Sequence, residues 1–559
     1  MQQLRLTRTR RVALIGLAGA LAVSLSACAE SKRDEGTGGG GTGGTFIFGT
    51  AGNPKMFDPI FNDEGETFRI TRQIYDTLIQ NKPGTAELEP SLAEKWEQGD
   101  GGKSWTFTLK QGVKFSDGTD FNAEAVCFNF NRWFNMKGAA AQSQMIYYAD
   151  VWEGFAKNEG TDTGDPVFKS CEAKDATTAV INLNKAKGAF PAAFTLPSFA
   201  IQSPTALKQY NADTVTQSGD SFTYSEYANK HPVGTGPFKF ESYDAGKGEV
   251  TLVKNDTSPT QTAKLDKLIF KIIPDENARK QALKAGDIMG YDFPAPADYG
   301  LLRNDGEQVL IRPSFNVLYM GINQSGNPAL KDVKVRQAIA YALNREQFVK
   351  SKLPEGSEVA PEFVPKAISG YTDDVTKYPY DPTKAKQLLQ ESGHATGLTL
   401  KFYYPTEVTR PYMPNPADVF TSLSEDLKAV GITIEPIAKP WNGGYKDDVQ
   451  KFGKQDLHLL GWTGDYNDAG NFVGTFFGRK KPEFGFDNPA LFSALAAADA
   501  SPAGDAHAKA YQDVNKQIMD YLPAIPISYG PPAIVVGPKV KGVVASPLTD
   551  ERFNTVTVN

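Results

Sequence analysis

Two stretches of this chain set charges among turn-forming or apolar residues, and together they could hold a small molecule charged at both ends. The first is Pro405-Thr406-Glu407-Val408-Thr409-Arg410-Pro411-Tyr412-Met413-Pro414-Asn415-Pro416, whose prolines make it too stiff for a floppy loop. The second is Thr463-Gly464-Asp465-Tyr466-Asn467-Asp468. A guanidinium forks onto a carboxylate, and a carboxylate pairs with an ammonium. Arg410 and Asp465 at two ends of one crevice would therefore describe a receptor for a zwitterion, such as a short peptide. The same residue types allow an ordinary reading, with the arginine before proline solvated and the aspartate bonded to its own turn.

Other chemistries find less support. Gly234-Thr235-Gly236 runs into Pro237-Phe238 and a strand-like stretch, with neither the lysine nor the helix start of a phosphate loop, so it reads as a turn. His231, His394, His458 and His507 are scattered without ligand spacing, and three cysteines offer no zinc cluster, so no metal or other cofactor is expected. No Gly-x-Ser-x-Gly elbow or Ser-x-x-Lys stretch falls at a strand-to-helix turn, and the chain is not expected to be an enzyme. A formal charge of −6 argues against nucleic acid, which demands a basic footprint.

The start of the chain sets the compartment. Arg5, Arg8, Arg10 and Arg11 form a basic head, Val12 to Leu25 an apolar stretch too short to span a bilayer comfortably, and Leu25-Ser26-Ala27-Cys28 closes it. This resembles a bacterial lipoprotein signal, which implies removal of residues 1–27 and lipid attachment at Cys28. Losing four arginines and no acid takes the charge to −10. Residues 29–44, AESKRDEGTGGGGTGG, cannot pack a core and read as a tether with a reach on the order of 20 Å. With Cys28 lipidated, Cys127 and Cys171 remain as an even pair in an oxidising compartment, and a disulfide is expected, two buried thiols being the alternative.

A chain of 559 residues, 40% hydrophobic and 22% charged, has globular composition and length for two or three domains. Thr45 to Ala51 reads as a strand, followed by the turn Gly52-Asn53-Pro54. Trp105, Phe107 and Leu109 alternate with polar residues, as do Ala179, Ile181 and Leu183, so about 80–205 reads as a strand-rich unit with helices attached, one of them capped by Asn122. Strands resume between Val250 and Ile273, and Asp275 opens a helix ending near Gly286. Beyond it the pattern becomes α/β. Asp332 and Asp381 cap helices, the second stopping at Gly393. Leu398, Leu400, Phe402 and Tyr404 alternate, a helix runs from Ala417 to Val430 with Phe420, Leu423, Leu427 and Val430 inward, and Ile432 and Ile434 start another strand. That is a βαβ unit. Asp456 to Trp462 adds a strand, and strands near Ile525 to Val536 return to the first domain. Open α/β sheets bind ligands outside the carboxyl ends of their strands, which is where the loops of Arg410 and Asp465 begin.

Several landmarks appear in order along residues 45–559: Glu89-Pro90-Ser91-Leu92-Ala93-Glu94-Lys95-Trp96, Val233-Gly234-Thr235-Gly236-Pro237-Phe238, Lys334-Val335-Arg336-Gln337-Ala338-Ile339, Arg410-Pro411-Tyr412 and Gly461-Trp462-Thr463-Gly464-Asp465. With them the chain resembles the peptide branch of the solute-binding proteins of ABC importers, family 5, the dipeptide- and oligopeptide-binding type. The resemblance implies a bilobal periplasmic-binding-protein-like α/β fold: lobe I over 45–79, 206–292 and 521–559, an inserted subdomain over 80–205, and lobe II over 293–520. Linkers would cross near Phe293-Pro294-Ala295-Pro296 and Leu522-Pro523-Ala524. It implies that Asp465 binds the ligand's α-ammonium and Arg410 its carboxylate, that Tyr412, Trp441 and Trp462 wall the pocket, and that Gly52 and Phe57 face it from lobe I. Met413, and Asn467-Asp468-Ala469 where Gly-Asp-Pro is common, depart from the pattern and leave ligand length and side-chain preference open. The implied setting is a monomer, lipid-anchored on the extracytoplasmic face of the bacterial cell membrane, delivering peptides to permease subunits driven by cytoplasmic ATPases. The same fold family also carries haem, nickel chelates, glutathione and sugars.

Overall fold

The computed structural model describes residues 43–159, 164–219, 221–258 and 262–559. The expected signal, Cys28 and tether residues 28–42 lie outside the described residues. The last two tether residues are held: the Gly44 N–H donates to Asp266 Oδ2 at 3.0 Å, and the Asp266 N–H to the Gly44 carbonyl at 3.0 Å. Among the described residues no helix is long and apolar enough to cross a membrane.

Three sheets organise the body. The first has seven strands in the order Phe238–Asp244, Glu249–Lys254, Lys267–Ile272, Thr45–Thr50, Gly290–Asp292, Ala533–Val536 and Gln308–Ile311. Thr45–Thr50 lies parallel to both of its neighbours. The second has six, in the order Glu358–Val359, Ala524–Tyr529, Asn316–Ile322, Leu457–Thr463, Leu398–Thr406 and Ile432–Pro440, with the last three parallel to one another. The third is a four-stranded antiparallel sheet inside the inserted unit, built on Ser104–Leu109 and Thr178–Leu183.

Local chemistry accounts for these elements. Trp105, Phe107 and Leu109 are buried while the residues between them are not, the signature of a sheet covered on one face. Asn316–Ile322 is buried at every position because it runs through the middle of the second sheet with both faces covered. Side chains of Asn122, Asp275, Asp332 and Asp381 each accept a backbone N–H in the first turn of the helix they precede. The βαβ helix spans Pro416–Ala429, capped by Asn415, and Gly431 leaves it at a φ of 97°, which glycine adopts without strain. Cys127 and Cys171 form a disulfide with Cα atoms 5.1 Å apart, tying the Ala123–Phe134 helix to the Phe168–Asp175 strand.

The lobe boundaries differ from the sequence reading. Gln308–Ile311 pairs with Ala533–Val536 in the first sheet, and Ala524–Tyr529 belongs to the second. The chain therefore crosses at 312–315 and 530–532, not at 293 and 521. Both proline-rich stretches mislead for one reason: proline marks the end of an element, not the end of a lobe. After Pro296 the chain forms a short helix, Tyr299–Asn304, whose Leu302 packs with Ile288 and Tyr291 of lobe I. The inserted unit also reaches past 80–205, since its core takes in Met56, Ile60, Phe61 and Ala228.

Candidate functional site

Leu398–Thr406 and Leu457–Thr463 are parallel neighbours, so the loops that follow them leave the same end of the second sheet. Asp465 stands two residues past one strand and Arg410 four residues past the other. Gly464 fixes the first loop: its N–H donates to the Phe315 carbonyl at 3.0 Å, and a Cβ there would sit 2.5 Å from the Phe315 ring. In the second, Arg410 and Met413 exchange backbone hydrogen bonds of 3.1 and 2.9 Å, closing a tight turn.

Neutral donors surround the Asp465 carboxylate. Tyr147 Oη donates to Oδ1 at 2.6 Å and Asn471 Nδ2 to Oδ2 at 3.2 Å. Asn471 is held in turn, because its Oδ1 accepts the Asp465 N–H at 2.8 Å and Trp462 Nε1 at 3.3 Å. Burial pushes the carboxyl up to about 6, against these two hydrogen bonds and with a small contribution from Asp150. No cation pairs with it among the described residues.

Arg410 is the complement. Its guanidinium lies 4.4 Å over the Trp441 ring, its Nε is buried without a partner, and it makes no ion pair among the described residues. An arginine held over an aromatic face keeps its fork free for an anion.

The two charges face different parts of the cleft. Arg410 lines a cavity of about 690 Å³ with Glu66, Phe293 and Pro531. Asp465 lines two others, one of about 180 Å³ with Glu64, Gly65 and Tyr147, the other of about 920 Å³ with Tyr147, Trp462 and Arg479. The first turn of the Gly65–Ile74 helix stands between them, Glu66 on the arginine side and Glu64 with Gly65 on the aspartate side. Among the described residues the two charges line separate cavities, where the sequence reading implied one pocket for both.

The remaining expected residues divide. Trp462 is partly buried and lines the cavity of about 920 Å³. Trp441 is 8% exposed and lies beneath Arg410, so it supports that side chain instead of walling a cavity. Tyr412 is 7% exposed and packs on Gly461 in the lobe II core. Gly52 lies against Glu66 and next to Ala51, which lines the Arg410 cavity. Phe57 does not face the cleft. It is 1% exposed in the lobe I core, with its ring 4.9 Å from Phe240, while its neighbours Met56, Ile60 and Phe61 turn into the core of the insert. Sequence reasoning missed Tyr147, which comes from a short helix of the insert and carries no local signal. Asn471, six residues after Asp465 in a turn-rich stretch, could have been found as its brace.

The insert and lobe II are docked together around this site. Tyr466 packs into the core of the insert and Ala86 into that of lobe II. Asn467 Nδ2 donates to the Ala86 carbonyl at 2.7 Å, and Lys187 pairs with Asp499 at 3.1 Å.

Two lobes joined by two short crossings, with uncompensated charges at the carboxyl end of an open sheet, define a binding protein for a small polar solute. The chain belongs to the bacterial extracellular solute-binding proteins, family 5, whose middle-region profile matches residues 87–483. It is 30% identical to heme-binding protein A of Haemophilus influenzae over 92% of each chain. It is 29% identical to the dipeptide-binding protein of Escherichia coli, covering 92% of this chain and 94% of that one. The solved structure of HbpA2 from Haemophilus parasuis superposes with a TM-score of 0.77 at 26% identity, over 92% of this chain and all of the other.

Proposed function

We propose that this protein captures short peptides between its lobes and delivers them to the permease of an ABC importer, without making or breaking a bond. Asp465 receives the peptide's α-ammonium and Arg410 its terminal carboxylate. The observation that carries this reading is the pairing of a partly buried carboxylate that has no cation with a guanidinium that has no anion, on adjacent loops at one end of a sheet. Asp465 and Arg410 both belong to lobe II, so hinge movement at the two crossings would shift the Gly65–Ile74 helix that stands between them and open one path for the ligand. Closure desolvates both ligand charges, and leaving one unpaired costs about 3 to 5 kcal/mol, so both anchors are needed. Removal of residues 1–27 and lipidation of Cys28 would hold the monomeric body near its membrane partners through the glycine-rich tether.

A hundredfold excess of dipeptide over its dissociation constant should stabilise the protein by about 2.7 kcal/mol in a thermal melt. Asp465→Ala should abolish that gain and leave the melting point without peptide nearly unchanged. A retained peptide response would remove Asp465 from the site. The relation to heme-binding protein A makes haem the second reading. A Soret band on titration with haem, without any peptide response, would favour it.

A further inference from the structure

Arg72 lies on the second turn of the Gly65–Ile74 helix, just behind the turn that divides the cleft. Its Nη1 donates to the Thr549 carbonyl at 3.1 Å, and that oxygen is the one partner it has among the described residues. Burial dominates its electrostatics and pulls the guanidinium down to about 10. Asp550 and Glu551 oppose this from a distance, while Arg552 and Arg69 add to it. A partly buried guanidinium that makes no ion pair keeps N–H donors free for an anion.

Its position says where that charge could come from. Arg72 lines the cavity of about 180 Å³ that Asp465 also lines, with Asp63, which pairs with Lys55, and Glu64, whose carboxylate caps the Gly65–Ile74 helix. Behind it lies a second cavity of about 220 Å³, and Arg72, Asn81, Thr195 and Asp550 line both, so the two spaces meet along the guanidinium. Asp550 does not fill the role of partner: its Oδ2 accepts Asn81 Nδ2 at 2.9 Å, and it makes no ion pair with Arg72.

We infer that this chamber takes an acidic side chain from the first residue of the bound peptide, with the α-ammonium on Asp465 and the side-chain carboxylate forked onto Arg72. The substrate class is thus peptides that begin with glutamate or aspartate, an assignment that rests on the peptide reading above. Such a residue would be gripped by both lobes at once, its ammonium from lobe II and its side chain from lobe I. The guanidinium suits this task because its free N–H groups form a planar fork matched to a carboxylate.

Titration calorimetry of the full chain with Glu-Ala, Gln-Ala and Ala-Ala tests it. Glu-Ala should bind at least about tenfold more tightly than Gln-Ala, the scale of a charge-assisted hydrogen bond. Arg72→Met should bring that ratio to about one, Arg72→Lys should keep part of it, and Ala-Ala should bind equally to all three proteins. Equal binding of Glu-Ala and Gln-Ala to the unaltered protein overturns the inference without any variant. So does a ratio that survives in Arg72→Met, or an Ala-Ala affinity that falls there as far as that of Glu-Ala, which would put the terminal carboxylate on Arg72. Failure of all three peptides to bind the unaltered protein would instead sink the peptide reading itself, and this inference with it.

Discussion

Asp465 holds its charge with hydrogen bonds from a phenol and an amide, and that arrangement makes it sensitive to mild acid. Its carboxyl is raised from 3.8 to about 6, so the folded protein binds a proton there more tightly than the unfolded chain does. This group therefore stabilises the fold most below pH 4, and the contribution is lost as pH rises through about 6. Ammonium binding runs the other way because it needs the ionised form. Dipeptide affinity measured by calorimetry should fall about tenfold per pH unit below 6, and the residual binding of Asp465→Asn should be flat over the same range. A flat profile in the unaltered protein would mean that no ammonium rests on this carboxylate. At this scale the sequence pointed to Asp465 and Arg410 but not to their settings. Asp465 and Arg410 stand in turn-rich loops at strand ends, whereas Tyr147 reaches Asp465 from 318 residues away, a distance no local pattern encodes. Phe57 was misjudged because proximity in sequence to a cleft-facing turn says nothing about which way a ring folds.

Strand Leu457–Thr463 carries the site because it is held on both sides, by Asn316–Ile322 and by Leu398–Thr406. Gly461 is where that strand meets the Arg410 turn. A Cβ there would stand 2.4 Å from the Val317 carbonyl oxygen and 2.4 Å from Tyr412 Cδ2. The carbonyl belongs to the neighbouring strand and cannot give, so Tyr412 and the 410–413 turn must shift. Gly461→Ala should cost about 1 to 3 kcal/mol in urea unfolding and should also weaken dipeptide binding. Unchanged stability would show that the neighbours relax freely. Elements of this kind were legible where one face is wet: the alternation at Leu398–Thr406 and at Ser104–Leu109 marks strands with a polar side. Asn316–Ile322 escaped notice because full burial erases the period-2 signal. Helix starts were read well, since a capping side chain acts within three residues of its own position.

The whole molecule is knotted together behind the cleft by charge. Arg312, fully buried at the first crossing, bonds Asp292 through Nη1 at 2.6 Å and Glu551 through Nε at 2.7 Å. Asp292 also pairs with Arg69, which pairs with Glu66 at 2.6 Å. One network thus joins the helix that divides the cleft, the first sheet, the crossing and the C-terminal segment. Arg312→Met would strand the buried Glu551 carboxylate and leave Asp292 with Arg69 alone, and should destabilise the protein by about 3 to 5 kcal/mol in chemical unfolding, whereas a loss under 1 kcal/mol would mean that water reaches Glu551. The bilobal plan itself was readable from the sequence, because alternating strand and helix patterns need only local periodicity. The crossing points were not, because they depend on which sheet a strand joins, a choice made by partners hundreds of residues apart.

At those crossings the Asn316 side chain donates to the Gly530 carbonyl at 2.6 Å and accepts the Gly530 N–H at 3.1 Å, while the Arg312 N–H reaches the Pro532 carbonyl at 2.8 Å. Two segments laced edge to edge flex readily out of their common plane and resist shear within it. Under the proposed closure the halves would accordingly nod without skidding, and the azimuth between their rims would be preserved.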